Sequence, residues 1–425
     1  MRLNIFARPA KALALLLVLS IFNPAESLLP VEQTACAASR SKKSSPKRGS
    51  SRKSGSRKSG TRKNKSAKKR SVGHHIQTLW RSEDSSQWIR KGAKGIIISK
   101  DSTGTVRAMT PYTCPPSVGA KYAEALNAYA NALEGGNVTI YSVIVPTQGE
   151  YYMPELTSTK GAEQRAIDAT ARSLKKGIRP VFVGDSLRKH LDEDIYNRTD
   201  HHWSPLGAYY ASAALADAAG VKFRPLSQYT TDTVRNYVGT MYKFSGDPEV
   251  KKAPEEFIYY MPPKGYKAEF INYRISGGRT IGEGEPHYEE FFRKFPDGSG
   301  AAYSTFMGGD SRTVKVTGTG GTPGRRLLIV KDSYGNAMAS CLFGSFEEVH
   351  VIDFRFFPHN LVDYLKKNGI TDLAFVNCIS LGYSANAVSR FRTMLTAGHS
   401  AKANEETTAE ENGENEETEE ESDEE

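Results

Sequence analysis

Cysteine is scarce. Cys36, Cys114, Cys341 and Cys378 are the four in 425 residues, and no pair has the spacing of a metal motif, so a cysteine-held metal site is not expected. Cys341 and Cys378 sit in apolar contexts and read as buried small residues. Long apolar runs are scarcer still. The stretch 12–22 (ALALLLVLSIF) is too short for a comfortable bilayer span. Arg2, Arg8 and Lys11 precede it, so residues 1–37 read as a secretory signal, with cleavage after Ser27 or Ala37. An uncleaved signal anchor is the alternative. Residues 40–70 lack acids altogether and carry about 15 Lys or Arg in a repeating SRKSG pattern. Residues 405–425 lack bases and carry about 13 acids. Neither end has the apolar residues to offset the entropy of ordering, so 38–72 is expected to be a disordered basic arm and 401–425 a disordered acidic tail. The formal net charge of +9 therefore belongs to the arm. In an exported chain such an arm reads first as a solvated spacer from the membrane or wall, with contact to anionic polymers, lipid headgroups or its own acidic tail as the alternative, ahead of nucleic acid.

Between the tails, residues 73–400 alternate between helical and strand patterns. Residues 118–133 form an Ala-rich amphipathic helix stopped by Gly135 and Gly136. Residues 138–145 (VTIYSVIV) read as a β-branched strand closed by Pro146. A helix over 161–175 and a short strand over 180–183 follow. Residues 326–330 (RLLIV) form an apolar run suited to a strand covered on both faces. The same alternation recurs through 348–352, 360–367, 372–376 and 385–395. The expected fold is α/β, a parallel sheet with helices on both sides. Residues 223–322 interrupt it with a Gly-, Pro- and Tyr-rich insertion of less regular structure.

The most informative stretch is Asp200-His201-His202-Trp203. Ser204 follows as a helix N-cap and Pro205 as a first helical residue. An Asp two residues before a His accepts its Nδ1 proton, fixes the tautomer and leaves Nε2 as a general base. Asp200 and His202 fit these roles, and His201 is left as a packed or substrate-facing neighbour. A third ligand that would turn the cluster into a metal site is not evident, and no cofactor is expected. The stretch lacks a nucleophile. Two Asp-Ser pairs follow apolar strands, Asp185-Ser186 and Asp332-Ser333. A Ser at the carboxyl edge of a parallel strand that opens a helix gains backbone N–H groups and the positive helix end for an oxyanion. Ser186 lies close before His202 with no crossover between them, so Gly184-Asp185-Ser186-Leu187 reads as a turn with a helix cap. Ser333 lies far away in sequence and is the expected nucleophile. Tyr151, Tyr152 and Trp203 are candidates to stack on sugar rings, with core packing as the alternative. Asn377 is a candidate oxyanion donor, with helix capping as its alternative.

TDHHW at 199–203 and LLIVKDSYGNA at 327–337 resemble the DHHW protein family of bacterial cell envelopes. So do VPTQGEYYMPE at 145–155, Gly239-Thr240-Met241-Tyr242, FMGGD at 306–310 and VIDFRFF at 351–357. That family is similar to SGNH-like O-acetyltransferases that acetylate alginate. The resemblance implies an SGNH-hydrolase-like three-layer sandwich, with Asp200, His202 and Ser333 as the Asp, His and Ser of a triad. It points to an exported O-acetyltransferase or acetylesterase of cell-envelope or extracellular polysaccharide, fed by a membrane-bound acyl-donating partner. A non-catalytic glycan-binding or envelope-assembly protein on the same fold is the reading from another class.

Overall fold

The computed structural model describes residues 76–157 and 159–397. The segments expected to be a signal sequence, a basic arm and an acidic tail lie outside the described residues. Fifteen strands run in chain order: β1 Gln77–Arg81, β2 Trp88–Lys91, β3 Ile97–Lys100, β4 Val106–Met109, β5 Thr139–Val145, β6 Ile178–Pro180, β7 Thr230–Tyr237, β8 Glu255–Met261, β9 Lys267–Ser276, β10 Arg279–Glu283, β11 His287–Tyr288, β12 Arg312–Thr317, β13 Thr322–Lys331, β14 Phe346–Asp353 and β15 Asp372–Cys378. The helices longer than one turn are α1 Gly119–Ala132, α2 Ala162–Ser173, α3 Val183–Arg188, α4 Pro205–Ala219, α5 Thr240–Ser245, α6 Gly335–Cys341, α7 Leu361–Asn368 and α8 Ala385–Thr396.

The fold is mixed α/β, built on one large sheet of order β10-β9-β12-β14-β13-β15-β5-β6, with β11 paired to β9. The five strands from β14 to β6 are parallel to one another. Their apolar runs are buried on both faces, as RLLIV in β13 predicts. One face carries Tyr141, Val143, Leu327, Ile329 and Val376 against Ala208, Ala211 and Leu215 of α4 and Met338 of α6. The other carries Ile140, Leu328, Val330 and Phe375 against Tyr122 and Leu126 of α1, Ile167 of α2, Leu365 of α7 and Phe391 of α8.

The sheet is not parallel throughout. The segment 223–322, expected to be irregular, supplies β9, β10 and β12, which extend the β14 edge antiparallel. It also supplies the separate β7–β8 ribbon. Strand alternation is present there, as in EEFIYYM with burial on every second residue over 255–259, but glycines and charges dilute it. A small antiparallel sheet, β1 to β4, precedes the main one. It packs Ile96, Ile98 and Ala108 against Met241, Phe244 and Val250. The strand expected at 180–183 lies earlier, and Val183 already belongs to α3.

Strand order places the reactive edge. β13 leads through α6 to β14 on one side, and the chain then returns through α7 to β15 on the other. The connection after β13 leads to β14 on one side and the connection after β5 leads to β6 on the other, so a crevice opens between them at the carboxyl ends, where doubly wound sheets bind ligands. Ser333 lies two residues beyond the end of β13.

Candidate active site

The Asp200 loop is held at both ends. Ser204 N donates to Ile195 O at 3.0 Å, and Asn197 Nδ2 donates to Trp203 O at 3.0 Å. Ser204 then caps α4, its hydroxyl accepting from Gly207 N at 3.1 Å. Across the crevice, Trp203 Nε1 donates to Tyr334 O at 3.0 Å, tying the loop to the turn that carries Ser333.

Three side chains that are far apart in sequence meet here. Asp200 Oδ1 lies 2.6 Å from His202 Nδ1, and His202 Nε2 lies 2.7 Å from Ser333 Oγ. An ionised carboxylate only accepts, so Nδ1 carries the proton and Ser333 donates to Nε2. Asp200 is satisfied on every side. Its Oδ1 also accepts from His202 N at 3.0 Å. Its Oδ2 accepts from Thr240 N at 2.8 Å and Thr240 Oγ1 at 2.9 Å. Burial opposes the charge, yet the two imidazoles and these donors together hold its carboxyl well below the usual range. The close approach of Thr240 requires Gly239, because a Cβ there would lie 2.4 Å from Asp200 Oδ2.

The His202 ring is clamped. Tyr303, from the insertion, stacks on it at 3.7 Å between centroids and 4° between planes. His201 lies 3.7 Å away on a 38° tilt. Half-buried, desolvated by its neighbours and next to a second imidazole, His201 has its basicity pushed down to about 3 and stays neutral. Asp200, His201 and His202 offer atoms within 4.8 Å of one another. Asp200 Oδ1 and Oδ2, His201 Nδ1 and both His202 nitrogens are engaged with one another, Thr240 and Ser333.

The turn after β13 is braced from below. Asp332 is fully buried and accepts from Tyr334 N at 3.0 Å and Cys378 N at 2.8 Å, joining the Ser333 turn to the end of β15. Burial pushes its carboxyl up to about 6. Beside it, Lys331 Nζ donates to Asp310 at 2.8 Å and Asp353 at 2.9 Å. Arg355 donates to the same two acids at 2.8 and 2.7 Å. Asn336 Nδ2 reaches Asp310 at 2.8 Å. FMGGD, VIDFRFF and KDSYGN thus converge on one buried ion-pair network. Tyr334, Gly335 and Asn336 spend their N–H groups within the turn. Ser333 N–H has no protein acceptor among the described residues, which leaves it as the candidate oxyanion donor there.

The expected substrate-binding side chains fall elsewhere. Trp203 is fully buried and braces the loop, so it has no face for a sugar. Tyr151 is buried, its hydroxyl donating to Gly184 O at 3.0 Å. Asn377 is fully buried and accepts from Tyr122 OH at 3.2 Å, among the α1 side chains. Tyr152 is half-buried under the Arg107 guanidinium, 3.9 Å from its ring centre. Instead, a pocket of about 40 Å³ lies over the ends of β5 and β15. Lys94, Gln148, His201, Phe244, Tyr334 and Ser380 are among its walls. Thr240 and Tyr303 carried no chemical signal in sequence. Only their neighbours in the insertion and the family-like string at 239–242 marked the region.

A family model described as DHHW protein matches residues 102–352. The solved structure of a DHHW family protein from Eubacterium siraeum is 32% identical, covers 75% of this chain and 98% of its own, and superposes with a TM-score of 0.63. Bacillus cereus PatB1, in a structure with a sulfonyl adduct, is 18% identical over 68% of this chain and 98% of its own, with a TM-score of 0.54. This second likeness shows a shared fold. No curated protein matches the chain. The family match spans more than half of the chain, and the Eubacterium siraeum protein is matched over nearly its whole length: the chain belongs to the DHHW family.

Proposed function

We propose that this protein is an exported, serine-dependent O-acyltransferase or esterase acting on cell-envelope or extracellular polysaccharide, on an SGNH-hydrolase-like three-layer sandwich spanning residues 73–400. The reading rests on one observation, the hydrogen-bonded chain from Asp200 through His202 to Ser333 at the sheet's carboxyl edge. Ser333 Oγ attacks an acyl ester carbonyl while His202 Nε2 takes its proton. Asp200 stabilises the imidazolium and holds its orientation. The tetrahedral oxyanion accepts from Ser333 N–H. His202 then returns the proton to the departing alcohol, leaving an acyl ester on Ser333. A sugar hydroxyl or water attacks that ester, gives its proton to His202 and releases Ser333. The signal at 1–37 and a membrane-bound acyl-donating partner belong to the same proposal.

The test is p-nitrophenyl acetate with the full mature chain. A burst of nitrophenol with an acetyl group on Ser333, found by peptide mass mapping, is the expected result. A folded protein that never acylates, yet is retained by envelope glycan, would replace the enzyme by a binding protein.

A further inference from the structure

The inactive-looking partner of the tandem, His201, has a tautomer that hydrogen-bond accounting decides. Its Nδ1 lies 2.6 Å from Thr240 Oγ1. Thr240 has one hydroxyl proton, and Asp200 Oδ2, 2.9 Å away, is an ionised oxygen that only accepts. The Thr240 proton therefore points at Asp200, and Thr240 Oγ1 accepts from His201. Nδ1 carries hydrogen. The ring is neutral in its half-buried setting, so Nε2 carries a lone pair. That atom bonds no protein group among the described residues, and it is not among the sealed, unpartnered ones. His201 forms part of the wall of the pocket over β5 and β15, next to Tyr334, the residue after Ser333. Two imidazoles thus stand 3.7 Å apart, one aimed at Ser333 and one open to the pocket.

We propose that His201 Nε2 accepts a hydrogen bond from a hydroxyl adjacent to the one that attacks the acyl-Ser333 ester, so that the acceptor the site selects is a vicinal diol, as in a sugar or polyol. One hydroxyl attacks the carbonyl carbon and passes its proton to His202 Nε2, while the ester bond to Ser333 Oγ breaks and Oγ takes that proton. The neighbouring hydroxyl stays intact and donates to His201. A mono-alcohol leaves this acceptor unpaired. A site built to bond a hydroxyl discriminates against partners lacking it. This inference rests on the acyl-enzyme reading of Ser333 and adds the acceptor class.

The experiment acetylates the full chain with p-nitrophenyl acetate and partitions the acetyl group between ethylene glycol and ethanol. The parent is expected to favour the diol by about tenfold per hydroxyl, the worth of one hydrogen bond. His201→Asn keeps an amide donor for Thr240 and carries nothing at the Nε2 position. It is expected to bring that preference close to one. Nitrogen-15 NMR of the parent's His201 ring supplies a readout independent of turnover. A protonated Nδ1 and an Nε2 resonance that moves on adding ethylene glycol are expected. A protonated Nε2, no diol preference in the parent, or an unchanged preference in folded His201→Asn would overturn the inference. Absence of acetyl-Ser333 would instead overturn the acyl-enzyme reading, and the diol-attack step with it, while NMR still decides the tautomer.

Discussion

Two Asp-Ser pairs follow strands of one sheet, and only one has a wired serine: Asp332-Ser333 forms a turn, whereas Asp185-Ser186, expected to be a turn with a helix cap, lies within α3 and caps nothing. After β13, Ser333 Oγ meets His202 Nε2 at 2.7 Å. After the short edge strand β6, Ser186 Oγ donates to Tyr210 O at 3.1 Å. The second pair even has the right companions. His190 Nδ1 lies 2.7 Å from Glu193, but the ring stacks on Tyr210 at 3.5 Å, and no hydrogen bond joins it to Ser186. The aspartates differ as sharply. Asp332 is sealed and ties two backbone N–H groups, whereas Asp185 is exposed. Residue types within reach of each other do not make a relay. What matters is where the strand sits, because β13 ends beside the switch in connection direction and β6 ends at the sheet edge.

The strongest way to break the comparison is to truncate both serines. Ser333→Ala is expected to lower acetyl-ester turnover on the order of 10⁵- to 10⁶-fold. Ser186→Ala should keep activity within about twofold. Initial rates with thermal melts on each variant check this, and a dead but folded Ser186→Ala would reverse the assignment.

Asp200→Asn sharpens it next. The amide preserves shape but offers a hydrogen where Nδ1–H must donate, so the rate should fall about 10⁴-fold with little change in melting. Thr240→Val removes one of the two Thr240 donors and leaves the backbone one. We expect a loss of about tenfold in kcat, measured beside Asp200→Asn in the same assay.

The aspartates of the two pairs give a stability contrast. Asp332→Ala orphans two buried N–H groups and should cost about 2–4 kcal/mol, whereas Asp185→Ala should stay within about 0.5 kcal/mol. Denaturant unfolding of both variants measures the gap, and equal costs would remove the structural distinction.

The smallest effect is on pH. The Asp332 carboxyl rises from 3.8 to about 6 in the folded protein. Between these values the native state holds a proton that the unfolded state releases. Its contribution is therefore complete below about pH 4 and is lost as pH rises through 6. The stability of the parent relative to Asp332→Asn should decline across that window. A rise across it would contradict the buried-acid account.

Much of this was legible in the residues. Asp200, His202 and Ser333 were marked by spacing and by strand-to-helix position, and the parallel strands by continuous apolar runs. The lost part has physical reasons. Trp203 looked like a sugar platform because indoles serve both purposes, and only its bond to Tyr334 O reveals a brace. Tyr303 reaches His202 from about a hundred residues away, across an insertion whose strands are diluted by glycine. Thr240 acts through a hydroxyl, which no periodicity signals. Lys331, Asp310, Asp353 and Arg355 read as ordinary charges until the fold buries them together.

The most direct test of the central claim is to treat the folded full chain with a fluorophosphonate and map the modified serine by mass spectrometry, with His202→Ala beside it. The account predicts near-complete labelling at Ser333, none at Ser186, and loss of labelling in His202→Ala. Labelling at Ser186, or labelling of Ser333 that is indifferent to His202, would contradict it.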